Sequence, residues 1–123
     1  MGTPCLVGVQ DPATGEIHYI YIQFDGGYRD AVGQMLMDNY ATYEEAKALI
    51  SCGNLRFLCD TLANTRARNP PCVEEESVPK TCATVADYCA AIKRQTRKGY
   101  LFTVDHQWAM RKGKRWFTEA RSL

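Results

Sequence analysis

The chain of 123 residues has no apolar run near the roughly 20 residues that cross a bilayer. Its start, Met1-Gly2-Thr3-Pro4-Cys5, shows no basic stretch followed by an apolar one. The expectation is a cytoplasmic protein without a membrane partner. Histidine is scarce, with only His18 and His106, and neither sits in a catalytic signature. A glycine loop able to cradle phosphates is missing, since Gly26-Gly27 alone is too short. Asp25 has no partner carboxylate in sequence. These absences exclude the familiar motif-bearing nucleotide-dependent and triad enzymes. No catalytic residue, metal or cofactor is assigned, and the expectation is a protein that is not an enzyme. Internal repeats and low-complexity segments are also missing.

Six cysteines stand at positions 5, 52, 59, 72, 82 and 89, without the short Cys-x2-Cys pairs that a structural zinc site prefers. Without an export signal, thiols stay reduced. Cys52 and Cys59, like Cys82 and Cys89, are seven residues apart, which matches two turns of a helix. The six therefore read as buried structural thiols on packed faces, with a metal site or functional disulfides as the alternatives.

What is present fits one α+β domain over residues 1–123. The hydrophobic fraction of 46% beside 24% charged residues is that of a globular chain able to bury a core. Cys5 to Gln10 reads as a strand. Asp11-Pro12-Ala13-Thr14-Gly15 reads as a turn, and Glu16 to Phe24 as the returning strand of a hairpin. Tyr28, Val32, Met35, Leu36 and Tyr40 form one helical stripe. Thr42-Tyr-Glu-Glu45 and Thr84-Val-Ala-Asp87 are capping boxes for two further helices. The second of these helices carries Val85, Tyr88, Cys89 and Ile92 on one side and is expected to stop at Gly99. Residues 64–81, with Asn69-Pro70-Pro71 and Glu74-Glu75-Glu76, read as a long surface loop. Tyr100 to Val104, Gln107 to Arg111 and Arg115 to Glu119 read as strands. The expected architecture is an antiparallel β-sheet with helices packed on one face.

The second strand is the most informative segment. Ile20, Ile22 and Phe24 alternate onto one face with His18 at its edge, while Tyr19, Tyr21 and Gln23 take the other. The tyrosine face is either a second packed face or a binding surface, and a homodimer interface is one form of the latter. Asp25-Gly26-Gly27-Tyr28 ends the strand. Asp25 caps the next helix or binds a ligand together with Tyr28. The sequence Leu6-Val-Gly-Val9, Tyr19-Ile-Tyr21, Asp25-Gly-Gly-Tyr28, Gly33, Leu36 and Tyr40, with an acidic helix following, resembles a family of uncharacterised small proteins of bacteriophages and prophages. The likeness covers about residues 5–60, with a weaker echo in the C-terminal strands. That family has Asp-Gly-Tyr at the strand end after a Cys-His-aromatic run, where this chain has Ile22-Gln23-Phe24 and one additional glycine.

Charge is unevenly distributed. Residues 1–92 hold six Lys and Arg against 12 Asp and Glu, a balance of −6, while residues 93–123 hold nine against two, a balance of +7. Arg111-Lys112-Gly113-Lys114-Arg115, flanked by Trp108 and Trp116, gathers four cations at a tight turn. Cations beside indoles suit phosphates, stacked bases or an acidic protein surface. The same residues would also serve as a solvated tip that discourages edge pairing, with the indoles in the core.

The resemblance implies a phage-type accessory protein that binds and inhibits a host protein, with defence inhibition of the anti-CRISPR kind as its leading form. The alternative is a module that binds nucleic acid or sequesters a signalling nucleotide, using Arg111 and Arg115 on its phosphates. The candidate binding residues are Tyr19, Tyr21, Asp25, Tyr28, Trp108, Arg111, Lys112, Lys114, Arg115 and Trp116.

Overall fold

A computed structural model describes residues 4–23, 32–69, 78–96, 98–112 and 115–117, with Arg68, Lys112 and Phe117 described by their backbone alone. β1 (Cys5–Gln10) and β2 (Ile17–Ile22) form the expected antiparallel hairpin, with Val7 opposite Ile20 and Gly8 opposite Tyr19. Its turn closes through Asp11 N–H to the Glu16 carbonyl and Gly15 N–H to the Asp11 carbonyl, both at 2.8 Å. Gly15 has φ +79°, a conformation glycine adopts without steric cost.

β3 (Lys80–Cys82), β4 (Gly99–Phe102), β5 (Trp108–Lys112) and β6 (Arg115–Phe117) complete a six-stranded sheet in the order β3-β2-β1-β4-β5-β6. The fold is α+β, and every strand pair is antiparallel except the central β1–β4 pair, which is parallel. β4 is reached from the β3 edge by a crossover, α4 (Val85–Gln95), since parallel strands cannot be joined by a tight turn.

That crossover corrects the expectation of helices on a single face. α1 (Val32–Asn39) and α2 (Tyr43–Ile50) cover one face, where Val32, Leu36, Ala46, Leu49 and Ile50 meet Cys5, Val7, Val9, Ile20, Ile22, Tyr100, Phe102 and Met110. α4 covers the other, where Tyr88, Ala91 and Ile92 meet Leu6, Ile17, Tyr19 and Leu101. The physical reason lies in the central strands. Cys5 through Val9 and Gly99 through Phe102 are buried without alternation, so both sides of the sheet need a cover.

The threonine N-caps of both expected capping boxes form. Thr42 and Thr84 accept the backbone N–H of Glu45 and Asp87, each at 3.1 Å. Two elements that reach into the expected surface loop from its ends are a correction: α3 (Leu62–Arg68) and β3. Thr61 caps α3 through Asn64 N–H at 3.0 Å. Asn69 then ties α3 to the preceding segment. Its Oδ1 accepts the N–H groups of Arg56 and Phe57, and its Nδ2 donates to the carbonyls of Phe57 and Thr65. β2 ends at Ile22, where a parallel bridge joins Ile22 to Leu55 and the Gln23 N–H bonds the Leu55 carbonyl; Phe24 lies outside the described residues. Gly99 is no helix stop. It lies in β4 beneath Ile92, and α4 ends at the Thr96 cap.

The cysteine spacing also takes a different form. Cys52 follows α2 and Cys59 precedes α3, while Cys82 lies in β3 and Cys89 in α4, so neither pair shares a helix. The five described cysteines are free thiols, and Cys72 lies outside the described residues. Cys5 alone is fully buried.

Candidate functional site

β5 and β6 pair with Arg111 opposite Trp116 and Lys112 opposite Arg115, so the expected basic hairpin exists at one edge of the sheet. Strand alternation puts Arg111 and Trp116 on the α4 face and Arg115 on the other. The Arg111 guanidinium stands 5.5 Å from the Trp116 ring centroid, within cation–π range. Trp116 in turn stacks on Tyr88 at 6.4 Å with 18° between the planes, and Tyr88 meets Tyr19 at 5.3 Å. The end of this row is rigid. Tyr88 is fully buried and its hydroxyl donates to the Tyr100 carbonyl at 2.7 Å. Burial holds its phenol well above the ordinary value of 10.0, so it stays a neutral donor.

Tyr88 fits there because Gly8 makes room: a Cβ on Gly8 would stand 3.0 Å from the Tyr88 ring. A glycine in an otherwise apolar strand signals such a close approach. The stripe containing Tyr88 is legible in the sequence, but its contact with Trp116 depends on where β6 falls in the sheet. Lys93 and Arg94 are exposed in the last turn of α4, the helix that covers this same face. The result is a basic surface on which half-buried Arg111 lies over the Trp116 ring, itself packed on Tyr88.

The other candidates separate. Trp108 lies on the α1–α2 face at 4% exposure, with its indole N–H donating to the Tyr40 carbonyl at 2.7 Å and its ring edge-on to Phe102. Its place as a contact residue is thereby corrected to a core residue. Tyr19 is 7% exposed beneath α4, so the second-packed-face reading holds for it. Burial, then neighbouring Cys82, pushes its phenol up. Tyr21 is half-buried at the edge of that cluster, and its backbone N–H donates to Asn54 Oδ1 at 2.9 Å. Arg115 is exposed. Asp25, Tyr28 and Lys114 lie outside the described residues, as does the Lys112 side chain.

His18 is exposed, with Nδ1 3.2 Å from Thr81 Oγ1 on β3. His106 occupies the expected turn with φ 60° and sets its ring edge-on to Phe102 and Tyr43. Among the described residues, no group of three His, Cys, Asp or Glu side chains is close enough to hold a metal, and no helix is long and apolar enough to cross a membrane. No family model matches the chain, and no match is found among curated proteins or solved structures.

Proposed function

We propose that this chain is a non-enzymatic binding protein that docks an acidic protein surface through the β5–β6 hairpin and so blocks a host factor. The observation that carries the reading is Arg111 held over Trp116, whose ring already packs on Tyr88. A guanidinium braced in this way loses little freedom when it pairs with a carboxylate, and its fork can donate two parallel N–H bonds to the carboxylate oxygens. Base stacking asks for something different, an exposed aromatic platform. Trp108 is buried and Trp116 is in contact with Tyr88 and Arg111, which favours carboxylates over bases. The +7 balance of residues 93–123 would speed encounter with an acidic partner. The host-directed role, and its anti-CRISPR form, draw on the likeness of residues 5–60 to small phage proteins.

The test is capture from a bacterial host lysate with the parent chain and with the Arg111→Glu/Arg115→Glu variant, followed by mass spectrometry of proteins and nucleotides. The expected result is a protein retained by the parent and lost by the variant. Enrichment of nucleotide or nucleic acid instead would move the function to sequestration. Identical captures by the two chains would remove the hairpin from the function.

A further inference from the structure

A concavity lies on the face opposite Arg111 and Trp116. α2 lines it with Tyr43, Lys47 and Ile50, spaced by four and three residues along one side of the helix. The turn end of the β1–β2 hairpin supplies Val9 and His18, which are direct cross-strand partners. Asp11 and Pro79 close the rim around about 270 Å³. Val9 and Ile50 are buried, and Tyr43 is half-buried, so much of the wall is apolar, with the hydroxyl-bearing Ser51 beside Ile50.

Two nitrogen-bearing side chains, both exposed, line this space from different elements. Lys47 Nζ stands 5.9 Å from the centroid of the Tyr43 ring, which holds the ammonium beside the wall. His18 is tied at Nδ1 to Thr81, which sets the plane of its imidazole. Asp11 is the single carboxylate in the lining among the described residues, and its Oδ1 accepts the Ala13 N–H at 2.8 Å.

We infer that this cavity binds a small carboxylate with a planar apolar body, the carboxylate lying toward Lys47 and His18. The volume falls just below the roughly 300–1,000 Å³ of pockets for drug-sized ligands, so a single small ring fits and a dinucleotide does not. The apolar walls call for an apolar body. The negative charge of Asp11 disfavours a multiply charged phosphate, while one carboxylate can be met by the ammonium and the imidazole. This site is independent of the hairpin reading.

The experiment is a titration of the ¹⁵N-labelled full chain at neutral pH, followed by amide chemical shifts. One series uses 3-phenylpropionate and the other its neutral counterpart, 3-phenylpropanol. The expected result is saturable shifts at Val9, His18, Lys47 and Ile50, with the alcohol binding about tenfold more weakly. Lys47→Met is at an exposed position, so the rest of the spectrum is retained, and its affinity for the acid should also fall about tenfold. Arg111→Glu should leave the titration unchanged. The inference is overturned if no shifts saturate, if they map elsewhere, if acid and alcohol bind alike, or if Lys47→Met binds the acid as the parent does.

Discussion

Single residues decide how closely α4 approaches the sheet. A Cβ on Gly99 would stand 2.3 Å from Ile92 Cδ1 and 2.6 Å from its Cγ1, closer than atoms can lie. Gly99→Ala should therefore destabilise by about 1–3 kcal/mol through overpacking. The loss should be less than additive with Ile92→Ala, because the second change removes the clashing atoms. Denaturant unfolding of the four proteins in the cycle measures this, and strict additivity would contradict the packing account. Trp108 offers a second check. Its indole N–H has a buried partner in the Tyr40 carbonyl, so Trp108→Phe should cost about 1–3 kcal/mol while leaving partner affinity per folded molecule unchanged. Reduced affinity at full folding would return Trp108 to the surface site. Its inward placement was legible in one respect. Trp108 and Arg111 are three residues apart in one strand, so they must face opposite sides. Proximity in sequence obscured that parity.

At the scale of elements, what was legible is what carries a local signature. α2 and α4 begin at threonine caps followed by acidic residues and bury regular stripes, so their starts agree with the sequence reading. The β1–β2 hairpin was legible from alternation and turn chemistry. α3 was not, because Leu62 to Arg68 has almost no apolar periodicity and is held instead by Thr61, Thr65 and Asn69. Tertiary hydrogen bonds of that kind leave no period to read. β3 has three residues and lies at the sheet edge, too short to alternate visibly. Asn69→Ala should therefore destabilise by about 2–3 kcal/mol, since it leaves four backbone groups without their partner. Hydrogen exchange should quicken first at Arg56, Phe57 and the α3 amides. A cost below about 0.5 kcal/mol would show that α3 does not rest on this residue. For the candidate site, the basic hairpin was legible, but its register was not: strands ending at Arg111 and starting at Arg115 would set those two opposite each other, whereas Lys112 pairs with Arg115 and Arg111 with Trp116. The brace under Trp116 was not legible either, because it needs the α4 crossover to bring Tyr88 beneath β6.

The whole molecule buries groups that must stay protonated. Burial raises the Cys5 thiol far above 9.0 and the Tyr88 phenol well above 10.0. A folded value raised above the unfolded one gives stability that is complete below the unfolded value and lost as pH rises past it. Stability should therefore hold up to about pH 9 and then decline, each such group contributing a slope of about 1.4 kcal/mol per pH unit. Cys5→Val should remove the earliest part of that decline. A urea midpoint that stays level to about pH 11 would contradict this account. The division of charge between an acidic body and a basic C-terminal quarter belongs to the same scale, and it bears on the central claim that the chain works by charge-led docking at the β5–β6 hairpin. The most direct measurement is the association rate with the captured host protein as a function of salt, for the parent and for Arg111→Glu/Arg115→Glu, beside a random single-stranded oligonucleotide. The parent rate should fall as salt rises, the variant should associate more slowly with a flattened salt dependence, and its urea midpoint should correspond to a stability within about 1 kcal/mol of the parent. The oligonucleotide should not bind either chain appreciably. A variant that associates at the parent's rate, or an oligonucleotide that binds the parent and is lost by the variant, would contradict docking of an acidic protein at this hairpin.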